Sequence, residues 1–211
     1  SPQFIFHYKG RFSKITASGK LQSSFISGLQ GPSNTHNRFI SHENVGIFGI
    51  EFFPYAIPVL FSIPATDCTN QFIDLGSFLG NAGRQLEEQI FAAATNQQRV
   101  AIASAFLQSF IGKPVRQQLI QSLQLNKVHI SQRHLERLFR EYVGLSPRQF
   151  ARVTRFETAV SYLRKTDSFT RLALDLGYYD QAHFNHDFME LAGMHPTAYL
   201  KAVDHLPIPQ R

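Results

Sequence analysis

Residues 172–188 read Leu172-Ala-Leu-Asp-Leu-Gly-Tyr-Tyr-Asp-Gln-Ala-His-Phe-Asn-His-Asp-Phe188, and they decide how the C-terminal half folds. Leu172, Ala173 and Leu176 fall on one side of a short helix that Thr166-Asp167-Ser168 caps and Gly177 stops. Asp180 caps a second helix, with Phe184, Phe188 and Leu191 inward. Ala173 is small where two helices must cross closely, and Gly177 permits the positive φ of a sharp turn. The pattern is a helix-turn-helix. Its second helix carries Gln181 and Asn185 one turn apart, two amides able to pair bidentately with adenine. His183 and His186 share that helix, but a zinc pair wants i, i+4 spacing or further ligands, so no metal is expected there.

Working back along the chain, Ser131 caps a helix that runs to about Val143 and ends at Gly144, and Ser146-Pro147 opens another. In the first of these, Leu135, Leu138 and Phe139 are expected inward, leaving Arg133, Glu136, Arg137 and Arg140 outside. Arg133 and Arg137 lie four residues apart, so both can enter one groove and meet guanine, while Glu136 can accept from a cytosine amine. An exposed helix laced by Arg/Glu pairs reads the same way. The next helix shows Phe150, Val153, Phe156, Val160 and Leu163 at helical spacing, and Pro114 starts an earlier one with Val115, Leu119, Ile120 and Leu123 as its stripe. Residues 116–155 hold eight Lys/Arg against two Asp/Glu, which suits either a polyanion partner or an ordinary solvated basic surface.

The first half is different. Phe4–Tyr8, Phe25-Ile26, Val45–Phe52 and Val59–Ile63 are short β-branched and aromatic runs punctuated by Gly and Pro, so most of residues 1–64 reads as a small sheet or barrel. From about Asp67 the period turns helical. Leu86, Ile90 and Phe91 share one face, and Val100, Ala103, Phe106, Leu107 and Phe110 share another. Gly112-Lys113-Pro114 breaks the pattern. The fold class is therefore α+β, a small β domain with helices followed by an all-α domain with two helix-turn-helix units. The chain starts at once in strand-like residues and not at a methionine, from which some N-terminal sequence is expected to be missing.

No apolar run reaches membrane-spanning length and no signal-peptide order precedes the strands, so a cytoplasmic protein without membrane association is expected. The single cysteine, Cys68, excludes an internal disulfide framework and a multi-thiolate zinc site. Enzyme signatures are lacking: there is no Gly-x-Ser-x-Gly, no phosphate-binding loop and no dinucleotide fingerprint, and nothing in the sequence activates Cys68. No catalytic residue and no cofactor are expected. His7, His36 and His42 show no close His-x-His spacing and read as surface or core histidines.

The stretch Ile130-Ser-Gln-Arg-His-Leu-Glu-Arg-Leu-Phe-Arg-Glu-Tyr-Val-Gly-Leu-Ser-Pro-Arg-Gln-Phe-Ala-Arg-Val-Thr-Arg-Phe156 resembles the first recognition helix and linker helix of AraC/XylS-type transcription regulators. Residues 172–188, followed by Gly193-Met-His-Pro-Thr-Ala-Tyr199, resemble that family's second helix-turn-helix and closing motif. The resemblance places base-reading positions on Arg133, Glu136 and Arg137 in the first unit, and on Gln181, Ala182 and Asn185 in the second. It assigns backbone contacts to Ser131, His134, Arg140 and His186, and puts Arg155 and Glu157 on the linker helix. It further implies a cupin-like sensor or dimerisation domain over residues 1–112, a DNA-binding domain over 113–205 and a tail over 206–211. The partners implied are double-stranded DNA, a small-molecule effector, RNA polymerase and a second copy of the chain. The approach Lys127-Val128-His129 departs from the family, which has a clear helix pair there. The second unit carries Asp175, Asp180, Asp187 and Glu190 against Arg171 alone, so weak phosphate anchoring is expected from it. A sensor with impaired operator binding is the alternative reading.

Overall fold

The computed structural model describes residues 1–15, 19–41, 44–111 and 131–203. The helix start at Pro114 with its stripe Val115, Leu119, Ile120 and Leu123, the Lys127-Val128-His129 approach, His42 and the expected boundary at 112–113 lie outside the described residues. By packing, the chain divides into one unit of Ser1–Ser33 and Arg38–Pro147 and another of Asn34–Asn37 and Arg148–Arg211.

In the first unit, strands β1 (Gln3–Lys9), β2 (Ser13–Ile15), β3 (Leu21–Ser23), β4 (Ser27–Gln30), β5 (Arg38–Ile40) and β6 (Gly46–Glu51) come first. Helix α1 (Ala56–Phe61), a 3-10 turn at Ala65–Cys68 and β7 (Phe72–Asp74) follow. Helices α2 (Leu75–Leu79), α3 (Asn81–Ala92), α4 (Asn96–Ile111) and α5 (Gln132–Val143) complete it. The strands form two antiparallel sheets, ordered β6-β1-β4-β7 and β3-β2-β5. Phe4 stands opposite Leu29 on one side and Ile50 on the other. Because alternate residues of a strand share a face, Phe4, Phe6 and Leu29 all bury fully beneath Leu75, Leu86 and Ile90 of the helices. Phenylalanine rings fill the space between, with Phe4 and Phe52 at 4.9 Å and Phe61 and Phe110 at 5.0 Å between centroids. Arg99 is also buried, and its guanidinium donates to the carbonyls of Ile90 (3.2 Å) and Ala93 (2.6 Å) while lying 3.9 Å from the Tyr8 ring centroid. It caps the carbonyl end of α3 and ties it to β1, so a buried charge is met by oxygen dipoles and a ring face.

Three readings of this half need correction. Val59–Ile63 is not a strand: Ala56–Phe61 is helical and Ser62 ends it in the left-handed region, at φ 59°. Pro58 suits this because it falls in the first turn, where a missing N–H costs nothing. A short apolar run between prolines does not by itself distinguish strand from helix. Val100, expected inward, is 54% exposed, whereas Ala103 of the same helix is buried. Phe72–Asp74, within the stretch read as helical, instead adds β7 to the edge of the larger sheet.

In the second unit, residues from Arg148 on of helix α6 (Pro147–Tyr162) lead through a 3-10 turn at Leu163–Lys165 to α7 (Phe169–Asp175), α8 (Gln181–Ala192) and α9 (Pro196–Val203). Its core holds Ala159, Leu163, Leu172, Ala173, Tyr178, Phe184 and Phe188, with Phe156 and Tyr199 edge-on to Phe188 at 5.0 and 5.5 Å. The α+β class is as expected, with strands confined to the N-terminal part and helices only after it among the described residues. No helix among them is long and apolar enough to cross a membrane.

Candidate nucleic-acid interface

Helix α5 is built for display. Ser131 Oγ accepts from the His134 N–H at 3.3 Å, and Gly144 closes the other end at φ 79°, its N–H donating to the carbonyls of Phe139 and Arg140. A Cβ on Gly144 would fall 2.3 Å from Thr69 Oγ1, so the residue is required both for its angle and for its size. Thr69 Oγ1 lies 3.0 Å from Gly144 O and 2.9 Å from Ala65 O, which holds the end of α5 against the 3-10 turn of the same unit. Val143 and Leu145 are buried there. The expected inward stripe is only partly covered: Leu138 and Phe139 are half-buried and Leu135 is 38% exposed. Burial grows toward the anchored C-terminal end, leaving the start of the helix open.

The opposite face collects the expected residues. Ser131, Arg133, His134, Glu136, Arg137 and Arg140 line one open concavity, with three guanidinium groups and a single carboxylate. Arg133, His134, Arg137 and Arg140 are exposed and Glu136 is half-buried. Arg137 contacts Glu141 at 3.6 Å and His134 Nδ1 at 3.4 Å, which holds its head along the helix without burying it. Ser131 Oγ accepts the capping bond and so keeps its own proton for an incoming oxygen.

In the second unit, Ser168 Oγ accepts from Arg171 N–H at 3.3 Å and Asp180 Oδ1 from His183 N–H at 2.7 Å, so both expected caps form. Gly177 turns at φ 78°, and the Tyr178 N–H donates to Ala173 O at 2.9 Å. Ala173 is fully buried at the crossing of α7 and α8. Ala182, His183 and His186 are exposed on α8, while Gln181 and Asn185 are half-buried. The Thr170 hydroxyl donates to Gln181 Oε1 at 2.6 Å.

The acidity of this unit has an internal use that the sequence did not reveal. Arg152 of α6 donates to Asp187 Oδ1 at 3.0 Å and also bonds Glu190. Asp180 is spent as a cap. His186, Asp187 and Glu190 offer ligand atoms within 4.8 Å of one another, but Arg152 already occupies the two carboxylates as their cation. Beside them Tyr178 is buried with the Arg155 guanidinium 5.2 Å from its ring centroid. Burial pushes the Tyr178 phenol up, and the Asp187 charge adds to this. Arg152 thus leaves the set of cations available to a polyanion. No motif signals these contacts, because they join helices 35 or more residues apart. His36 belongs with this unit too: its Nδ1 is 3.0 Å from Glu190 O and its ring fills the space where a Cβ of Gly193 would sit.

Hydrogen bonding to Arg152, and then its charge, hold the Glu190 carboxyl below its ordinary range. The folded unit therefore gives up a proton that the unfolded chain keeps in mild acid, and the resulting stabilisation is present at neutral pH. It is lost as the pH falls through the lowered folded value. Thermal melts on a descending pH series are expected to show this decline below the usual carboxylate range, and Glu190→Gln is expected to flatten it.

Cys68 is 1% exposed, and burial, then the neighbouring Asp67, push its thiol up, opposite to what a nucleophile needs. Two capped helices around a positive-φ glycine, with polar side chains at the start of the second, make a helix-turn-helix. Residues 125–202 match the family model described as a helix-turn-helix domain. Over 75 residues the chain is 31% identical to an uncharacterized HTH-type transcriptional regulator of Haemophilus influenzae, a match covering 35% of this chain and 25% of that relative. The chain thus spans about a quarter of the length of the curated relative it matches. Two solved structures of ToxT from Vibrio cholerae are similar at 16% identity, with TM-scores of 0.46 and 0.47, over 95% and 98% of this chain and 90% of theirs. The C-terminal half carries a helix-turn-helix domain, and the curated relative it matches is described as a transcriptional regulator.

Proposed function

We propose that this protein regulates transcription by sequence-specific binding of duplex DNA, with α5 and α8 entering successive major-groove segments on one face of the duplex. The observation that carries the reading is the single face of α5 bearing Arg133, Arg137 and Arg140 beside one half-buried carboxylate, on a helix capped at both ends. Arg133 and Arg137 read guanine edges and Glu136 accepts from cytosine, while Arg140, His134 and Ser131 hold phosphates. On α8, Gln181 and Asn185 read adenine, Ala182 packs against a thymine methyl, and His186 faces the backbone. Because Asp187 and Glu190 share Arg152 as a counter-charge, the second helix repels DNA less than its composition suggests, yet it supplies few cations. Most of the salt-dependent affinity comes from α5. Residues 1–112 act as the sensor or dimerisation domain, responding to a small effector or to a second copy of the chain. RNA polymerase is the partner through which a bound regulator acts.

Selection of bound sites from random duplexes at fixed salt tests the reading. An enriched motif in two blocks about one helical turn apart is expected. A pool that stays random after binding would overturn it and favour a sensor that works through protein contacts alone.

A further inference from the structure

Tyr179 stands one residue before Asp180, the cap of α8, and it is 88% exposed. No other large apolar or aromatic residue is so open among the described residues. Its mount is nonetheless fixed on both sides. Tyr178 is buried, its N–H donating to Ala173 O at 2.9 Å, and Asp180 Oδ1 accepts from the His183 N–H at 2.7 Å. The residue before a helix cap commonly packs against the fourth residue of the helix, a hydrophobic staple that sets how the chain enters. Here the fourth residue is Phe184, and Tyr178 takes the stapling place, with ring centroids 5.4 Å apart. Tyr179 is thereby released from the core. Among the described residues no hydrogen bond or ring contact holds its side chain.

An aromatic ring kept in water on a fixed backbone is available to a partner, and its position says which. Tyr179 lies at the same end of α8 as Gln181 and Ala182, the end that enters the groove first when this helix reads DNA. A side chain just ahead of that end meets the groove wall, which is sugar and phosphate. The ring suits the sugar, and the hydroxyl suits a phosphate oxygen. That oxygen carries no proton, so the hydroxyl can only donate to it. Cations are scarce beside it, since Arg152 is held by Asp187 and Glu190. We propose that Tyr179 is a backbone contact of the second helix-turn-helix, anchoring α8 to duplex DNA by a neutral hydrogen bond where a cation is lacking. The inference rests on the DNA-binding reading above.

The test is competition binding by wild type, Tyr179→Phe and Tyr179→Ala, on the selected site and on random duplex, at several salt concentrations. Tyr179→Phe is expected to weaken both duplexes about ten-fold, the size of one hydrogen bond to a charged group. Tyr179→Ala is expected to weaken them further. The slope of log K against log salt is expected to stay as in wild type, because a neutral donor displaces no counterion. Melting temperatures of the three proteins are expected to agree within a few degrees, which a structural role would not allow. If wild type selects no motif, the regulator reading fails and this inference with it. If wild type selects a motif and Tyr179→Phe binds like wild type, the hydrogen bond is overturned and the regulator reading stands. A loss confined to one base pair would likewise overturn the backbone contact alone.

Discussion

Replacing Arg152 by leucine is expected to destabilise the C-terminal unit by about 3 kcal/mol, near the lower end of what breaking a buried ion pair costs. The Asp187 side chain is only 9% exposed, so without its partner it is left as an uncompensated polar group out of water. Arg152 itself is 27% exposed, and water screens part of the interaction, which is why the lower end applies. The double variant Arg152→Leu with Asp187→Leu is expected to recover most of the loss, because well-packed apolar groups often replace such a pair at little cost. Urea unfolding followed by far-ultraviolet circular dichroism measures both, since the chain has no tryptophan. A single variant as stable as wild type would show that the helices hold without the pair.

Arg137→Ala and Arg140→Ala are expected to fail differently. Loss of Arg137 removes a bidentate base contact worth ~1–3 kcal/mol of discrimination, about ten-fold or more at one base pair, with random DNA bound nearly as before. Loss of Arg140 is expected to weaken all sequences alike and to reduce the slope of log K against log salt by about one. Both leave stability near wild type. The Arg137–Glu141 contact is an exposed i, i+4 pair, of a kind that contributes ~0.3–0.5 kcal/mol. Competition binding at several salt concentrations separates the two outcomes. Equal losses on specific and random DNA for both variants would sink the division of roles along α5.

What was legible in the chain follows from where the physics is local. Caps at Ser131, Ser168 and Asp180, the turn at Gly177 and the inward Phe184 and Phe188 depend on neighbours a few residues away, and all are found where the pattern put them. Val59–Ile63 misled because two prolines mark the edge of a strand and the first turn of a helix equally well. The three-residue strands β2, β3 and β5 are too short to carry a period and exist through their pairing. At the interface, residue types and spacing located the exposed faces. They could not reveal that Arg152, counted among the cations, turns inward, or that Thr170 holds Gln181, since both are tertiary contacts.

Cys68, sealed under the first sheet, leaves the native surface without a reactive thiol among the described residues. A cysteine introduced at Ala182 or Arg133 would therefore be the one attachment point for a cutting chelate or a photo-crosslinker. Strand scission around each tether would then chart, nucleotide by nucleotide, which groove each helix visits and in what direction the protein lies along its operator.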